Sequence, residues 1–341
     1  MHIPVLLKEV IEFLDPKPNE NFIDATFGDG GHSLEILKFT APNGKVLGID
    51  WDQKAIENFD GRGLDSRSVF KYVSEPLNAA AETPRQNRSG VELPPISEKS
   101  RLILISGNFA DIRETANLAG FKNVRGVLFD LGFRSVQIES GGRGFSFQKD
   151  EPLDMRYHAT RNCVDQTRIC ADDSLTAENI INEWSERDLE RIFIEYGEER
   201  NSKRIARAIV ESRSKNRIKT TGELVEIVDR TYRAYGTNRI KILARVFQAL
   251  RIAVNNEFEN IASGLNGAWD VIGKDGKIAV ISFHSLEDRM VKNFFADKKK
   301  NGEGEILTKK PVTPSENEVR DNSRSRSAKL RVIKKCLIPN Y

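Results

Sequence analysis

Residues 24–32 read Asp-Ala-Thr-Phe-Gly-Asp-Gly-Gly-His, between a short apolar run, Asn21-Phe22-Ile23, and a helical pattern, Ser33-Leu34-Glu35-Ile36-Leu37. Strand, glycine-rich turn and helix in this order open a nucleotide-type α/β site. Gly28, Gly30 and Gly31 allow positive φ and let the backbone approach a ligand closely. The first N–H groups of the following helix have no intrahelical partner, so they favour a carboxylate or phosphate in front of them. A glycine-rich turn without a ligand shows the same pattern, so the turn alone assigns no function.

The next apolar run, Lys45-Val46-Leu47-Gly48-Ile49-Asp50, ends in an acid. An acid at the tip of the strand after such a turn is placed to accept hydrogen bonds from ribose hydroxyls. Both dinucleotides and S-adenosylmethionine carry a ribose. The pattern Gly28-x-Gly30-x-x-Ser33 lacks the third glycine of a dinucleotide fingerprint. S-adenosylmethionine has a carboxylate in place of a pyrophosphate, and the looser turn leans toward that cofactor.

The 341 residues allow one large domain or two moderate ones, and 39% hydrophobic with 30% charged residues is a globular composition. No run of eighteen apolar residues is present, so no membrane span and no membrane partner are expected. The chain enters a folded-looking segment at His2-Ile3-Pro4-Val5-Leu6-Leu7, so no leader peptide is expected unless one has been removed. Cys163, Cys170 and Cys336 are odd in number and form no Cys-x-x-Cys pair, and only four histidines accompany them. Neither a disulfide framework nor a metal site is expected, and a reducing, cytoplasmic setting fits. The net charge of +3 is unevenly spread: residues 320–335 hold seven Lys or Arg against Asp321, and residues 200–219 hold eight against Glu211. Such stripes suit nucleic acid, although a solvated charged face would look the same.

Strand and helix signals alternate from residue 21 to about 130. They are interrupted at residues 74–100, where Pro76, Pro84, Pro94 and Pro95 mark an exposed insertion. Arg101-Leu102-Ile103-Leu104-Ile105 resumes as a strand followed by Asn108-Phe109, and Val127-Leu128-Phe129-Asp130 is a further strand ending in an acid. From about 150 to 235 only helices are read. Leu189, Ile192, Phe193 and Tyr196 recur at helical spacing, and Arg200, Lys203, Arg204 and Arg207 share one helix face. Thr221 reads as the N-cap of a further helix. A helix over about 245–270 then leads into a strand, Lys277–Ser282. The expected fold is therefore α/β. A mostly parallel, Rossmann-like sheet domain comprises residues 1–140 plus 242–341, and an all-helical substrate-recognition domain is inserted over residues 141–241.

Several segments together resemble one family. They are His2-Ile3-Pro4-Val5-Leu6-Leu7-Lys8-Glu9-Val10, the turn at 24–32, Phe129-Asp130-Leu131-Gly132, Arg143-Gly144-Phe145-Ser146-Phe147 and Pro152-Leu153-Asp154-Met155-Arg156. Tyr196-Gly197-Glu198-Glu199-Arg200, Phe247-Gln248-Ala249-Leu250-Arg251-Ile252, Ser282-Phe283-His284-Ser285-Leu286-Glu287-Asp288-Arg289 and Arg324-Ser325-Arg326-Ser327-Ala328-Lys329-Leu330-Arg331 complete the series. The chain resembles the ribosomal small-subunit RNA cytosine-N4 methyltransferases over nearly its whole length. The resemblance implies a class I methyltransferase fold, S-adenosylmethionine as methyl donor, and a cytidine of the decoding region in small-subunit ribosomal RNA as acceptor. Carried over by motif, the cofactor contacts fall on Gly30, Gly31, His32, Asp50, Phe109, Asp130 and Gln137. Taken singly, Phe109 reads equally as core, His32 as a helix cap and Asp130 as a loop brace. The chain departs from the family pattern at Arg134-Ser135-Val136, at Lys241-Ile242-Leu243-Ala244-Arg245, at Ser323, and in the length of the 74–100 insertion.

Methyl transfer to an exocyclic amine needs alignment more than strong acid–base help. An acceptor hydrogen-bonded to the amino protons would still raise the nitrogen's nucleophilicity, and Asp130 and His284 are the candidates; His284 reads equally as a brace through Glu287 or Asp288. A base lifted from its stack needs a platform, for which Phe145, Phe147 and Phe283 are candidates. Arg200, Lys203, Arg204 and Arg207, with Arg324, Arg326, Lys329 and Arg331, are expected to clamp RNA phosphates. Two other readings stay open: a methyltransferase of the same fold acting on another RNA or DNA base, and a non-catalytic RNA-binding assembly factor. A homodimer is also left open.

Overall fold

The computed structural model describes residues 4–61, 64–73, 93–131, 142–157, 175–232 and 239–336. Gln137, Arg134, Val136 and residues 74–92 of the insertion lie outside the described residues. The chain divides into two compact units, Met1–Gly132 with Glu259–Tyr341, and Phe133–Phe258.

In chain order the first part holds α1 (Leu7–Leu14), β1 (Asn21–Asp24), α2 (Gly31–Phe39), β2 (Val46–Asp50), α3 (Gln53–Glu57), β3 (Val69–Tyr72), β4 (Leu102–Ser106), α4 (Ile112–Leu118) and β5 (Val124–Asp130). The middle holds α5 (Ala177–Glu183), α6 (Glu186–Glu195), α7 (Ser202–Arg213), α8 (Thr221–Tyr232) and α9 (Arg239–Asn255). The last part holds α10 (Glu257–Val271), β6 (Ile272–Ser282), α11 (Ser285–Lys300), β7 (Gly304–Ile306), α12 (Glu316–Asp321) and β8 (Lys329–Lys335).

The eight strands form one sheet in the order β3-β4-β2-β1-β5-β6-β8-β7. All neighbours from β3 to β6 are parallel, and β8 runs antiparallel to both β6 and β7. Val46-Leu47-Gly48-Ile49-Asp50 is buried at every position, as a strand covered on both faces requires. From β1 the chain passes to β2 on one side, and later to β5 on the other. The strand order therefore reverses at β1, and open α/β sheets bind ligands in the crevice outside the carboxyl ends at that point. Asp24, Asp50 and Asp130 terminate β1, β2 and β5 at that edge.

The short edge strand β3, just before the insertion, was not among the expected elements, and neither were β7 and β8. The basic segment 329–335 is a sheet strand whose central residues, Leu330–Ile333, are buried. Lys277–Ser282 is the end of a longer strand that begins at Ile272.

The helical unit is built on Leu189, Ile192, Phe193, Ile205, Ile209, Leu224, Val246, Phe247 and Leu250, all buried. The expected helix over 245–270 is two helices, α9 and α10, broken at Asn256 with φ 49°. Asparagine tolerates that left-handed backbone, and the neighbouring Asn255 fixes it. Its Nδ2 donates to the Met155 carbonyl at 2.8 Å, and its Oδ1 accepts from the Tyr157 N–H at 2.8 Å. The helical unit extends past residue 242 because Ile242, Leu243, Val246 and Phe247 belong to its core. Thr221 is the first helical residue of α8, and the cap falls on Thr220. The Glu223 N–H donates to Thr220 Oγ1 at 3.4 Å, while Glu223 Oε2 accepts from the Thr220 N–H at 3.1 Å. No helix among the described residues is long and apolar enough to cross a membrane.

Candidate active site

The turn after β1 is tied to both neighbouring strands. The Ala25 N–H donates to the Leu128 carbonyl of β5 at 2.9 Å, and the Phe27 N–H donates to the Ile49 carbonyl of β2 at 2.8 Å. Gly28 and Gly30 hold φ of 57° and 76°, which glycine adopts without penalty. Phe27 folds under the turn, its ring edge-on to Phe59 with centroids 5.0 Å apart. Gly48 makes room for it, since a Cβ there would lie 2.7 Å from Phe27 Cδ2. The N-cap of α2 is Gly30, which brings no side chain to the first-turn N–H groups. A capping Ser or Asp would occupy them itself, whereas a glycine cap suits an anionic ligand.

Asp50 is buried, and both its oxygens hold the backbone. Oδ2 accepts from the Gly28 N–H at 2.7 Å and Oδ1 from the Asp52 N–H at 2.8 Å. Asp24 is 1% exposed, and Ser33 Oγ donates to its Oδ2 at 2.7 Å while the Thr26 N–H donates to its Oδ1 at 3.2 Å. Burial pushes the Asp24 carboxyl up to about 6 from the ordinary 3.8, with the Asp130 carboxylate adding to the rise. The His32 imidazole, the Ser33 hydroxyl and the Thr26 N–H oppose that rise. Thr26 also joins β1 to β5, because its Oγ1 accepts from the Asp130 N–H at 2.6 Å. Asp24, Thr26 and Ser33 were not singled out in the sequence, although Asp24 stands at a strand end as Asp50 and Asp130 do.

Gly30, Gly31, His32, Asp50, Phe109 and Asp130 all lie in the sheet unit; Gln137 lies outside the described residues. The buried His32 ring turns to the N-terminal segment, with Nε2 3.0 Å from the Val5 carbonyl. Phe109 is half-buried after β4. It is edge-on to Phe129 at 5.8 Å and lies so close to Gly264 of α10 that a Cβ there would stand 2.8 Å from Phe109 Cδ2. Asn108 steadies it, accepting from the Ala110 N–H at 2.9 Å and donating to Asn260 Oδ1 at 3.0 Å. His284 is the N-cap of α11 in a capping box with Glu287. Its Nδ1 accepts from the Glu287 N–H at 3.4 Å, and its Nε2 lies 3.1 Å from Glu287 Oε1. Phe283 is half-buried, its N–H donating to Glu287 Oε2 at 2.7 Å.

In the helical unit Phe145 stacks on Tyr157 at 5.9 Å, and Phe147 meets Phe247 edge-on at 5.6 Å. Arg200, Lys203, Arg204 and Arg207 are exposed; Arg207 pairs with Glu211 at 2.8 Å. In the sheet unit Arg324 and Arg326 are exposed on a short 3-10 turn, Ser323–Ser327. Arg331 departs from the expected RNA-facing set. It is 9% exposed and gives two hydrogen bonds to Asp288, at 2.6 and 3.1 Å, because β8 carries it into the sheet. Lys329 Nζ stands 3.6 Å from the same carboxylate. Burial raises the Asp288 carboxyl, but the Arg331 hydrogen bonds and the charges of Arg331 and Lys329 hold it below its ordinary value.

Known proteins match this chain over almost its full length. It is 42% identical over 335 residues to the ribosomal RNA small subunit methyltransferase H of Persephonella marina, covering 98% of this chain and 99% of the relative. The protein of the same name from Sulfurihydrogenibium sp. is 41% identical over 335 residues, covering 97% and 98%. That of Carboxydothermus hydrogenoformans is 39% identical over 349 residues, covering 98% and 97%. A family model described as the MraW methylase family matches residues 1–93 and 86–336, which include β1, its glycine turn and Asp50, Asp130 and His284; the chain belongs to the MraW methylase family.

Proposed function

We propose that the protein is an S-adenosylmethionine-dependent methyltransferase that modifies the exocyclic N4 of a cytidine in the decoding region of small-subunit ribosomal RNA. One observation carries the cofactor assignment: a glycine-capped helix begins beside a strand-end acid whose carboxylate grips the turn through the Gly28 N–H. Full-length likeness to ribosomal RNA small subunit methyltransferases supports the substrate, and a ribosomal substrate fits a cytoplasmic setting.

Bound there, S-adenosylmethionine supplies a sulfonium methyl group to the acceptor amine. The residues of the chain account for the remainder. The first turn of α2, opened by Gly30 and Gly31, faces the carboxylate of the methionine moiety with its N–H groups. Asp50 takes the ribose hydroxyls. Phe109, braced by Phe129, offers a ring to the adenine. Asp130 stands at the carboxyl end of β5, where its carboxylate accepts a hydrogen bond from the N4 amino group and then its proton. Alignment is the larger contribution: holding the nucleophile in line with the transferred group supplies roughly 7–11 kcal/mol at best. Exposed Arg200, Lys203, Arg204, Arg207, Arg324 and Arg326 suit RNA phosphates.

The test incubates labelled S-adenosylmethionine and the protein with small subunits that lack the modification, and maps the product nucleoside by mass. N4-methylcytidine in the decoding region is the expected product. Label on another base favours a different methyltransferase of this fold, and no label favours a binding factor.

A further inference from the structure

Residues 4–6 close one side of the glycine turn, and a side chain distant in sequence helps to hold them. A Cβ on Gly31 would come within 2.2 Å of Pro4 Cγ, so the Pro4 ring already rests against the start of α2. The Val5 carbonyl is 3.0 Å from His32 Nε2, and both residues are buried. Leu6 is fully buried, has φ 53° and caps α1 without a side-chain hydrogen bond. That left-handed conformation costs a non-glycine residue about 1–2 kcal/mol, so it persists only where surroundings enforce it. The Leu6 N–H donates to Glu318 Oε1 at 2.7 Å, across 312 residues of sequence.

Glu318 is itself fixed through its backbone. Its N–H donates to Ser315 Oγ at 3.2 Å, and its carbonyl accepts from the Asn322 N–H at 2.7 Å. The Asn322 carbonyl in turn accepts from both the N–H and the hydroxyl of Ser325, between Arg324 and Arg326. On its other side the turn is backed by Phe27 and Phe59, since a Cβ on Gly30 would meet both rings. The turn is thus set between an aromatic pair and a strap. Both are packed into the same core, and the strap is also tied to a distant helix by the Leu6–Glu318 hydrogen bond.

We infer that Glu318 is a positioning residue for the methyl-donor site: by anchoring Leu6 it holds Pro4 and Val5 against Gly31 and His32 and keeps the first turn of α2 in its ligand-ready geometry. The inference rests on the cofactor assignment above. Glu318 lies on α12, outside every segment read as contacting the cofactor, and no sequence motif marks it.

The test uses the full chain and measures S-adenosylmethionine affinity by calorimetry, together with kcat and KM for both substrates. Glu318→Ala removes the acceptor and is expected to weaken S-adenosylmethionine about tenfold, with KM for RNA and kcat little changed. Glu318→Gln keeps an acceptor oxygen and recovers most of that loss. Pro4→Ala, a milder change at the other end of the strap, weakens S-adenosylmethionine and raises its KM, and covers the case in which Glu318→Ala fails to fold. Unaltered S-adenosylmethionine affinity in Pro4→Ala and in a folded Glu318→Ala overturns the inference. So does a loss spread equally over both substrates, which marks a general structural defect. Absence of S-adenosylmethionine binding in the unmodified protein overturns the cofactor assignment itself, and the inference with it.

Discussion

The Gly28 N–H donates to Asp50 Oδ2 at 2.7 Å, so the tip of the glycine turn hangs from the end of the second strand. The carboxylate thereby shapes the turn, and the proposed function assigns it the ribose as well. Asp50→Ala is expected to weaken S-adenosylmethionine by about 1–3 kcal/mol, the range for a missing hydrogen bond to a charged group. Calorimetry on the purified protein decides it; affinity equal to the parent protein removes Asp50 from the site.

Gly30 offers a sharper probe of the turn. Its φ is +76°, and a Cβ would stand 2.6 Å from Phe27 Cζ, on a ring locked edge-on to Phe59. Gly30→Ala combines left-handed strain of about 1–2 kcal/mol with overpacking of about 1–3 kcal/mol. Lower thermal stability and weaker cofactor binding are expected together. Gly107→Ala is the control, because a Cβ there meets nothing within 4 Å and stability should hold. Equal melting temperatures for the two variants would show that the turn yields freely.

The buried Asp24 links the turn to pH. Its carboxyl is raised from 3.8 to about 6, so the folded chain binds this proton more tightly than the unfolded chain. Its contribution to stability is therefore greatest below about pH 4, declines as pH rises toward 6, and stays low above that. Asp24→Asn, which cannot ionise, removes this dependence. The variant should gain in melting temperature relative to the parent between pH 4 and pH 7. A difference that stays constant over that range would show that Asp24 does not titrate there.

The turn, Asp50 and Asp130 were legible because they follow local rules: a glycine run between a strand and a helix, and an acid where a strand ends. The core of the helical unit was legible from its spacing, with Leu189, Ile192 and Phe193 inward and Lys203 and Arg207 outward. What escaped depends on distant partners. Thr26 is small and polar like any turn residue until β5 brings the Asp130 N–H against it. The break at Asn256 is hidden in continuous helical periodicity, because the loop that Asn255 captures lies about a hundred residues earlier. Arg331 reads as one more cation in a basic run, but the strand period turns it inward to meet Asp288.

That last contrast separates two roles within one basic segment. Arg324 and Arg326 are exposed, whereas the Arg331 and Asp288 side chains are 11% and 13% exposed. Removing one partner of a buried pair strands the other, at about 3–5 kcal/mol. Arg331→Ala is therefore expected to lower the melting temperature strongly while the protein that remains folded keeps its salt dependence of RNA binding. The double variant Arg324→Gln with Arg326→Gln should do the reverse. On single strands each Arg–phosphate pair adds roughly 0.7 to the log–log salt slope, so a variant without both arginines has a slope shallower by about 1.4. Lys203 and Arg207 are the parallel pair in the helical unit. The Arg207–Glu211 bridge is exposed on both sides, where water screens it, so a phosphate displaces the glutamate at little cost. Titrations of an RNA fragment at several salt concentrations, beside melting curves, test all three variants. An unchanged slope in both double variants would move RNA recognition away from these arginines and lysines, and a flattened slope in Arg331→Ala would place that guanidinium on the RNA after all.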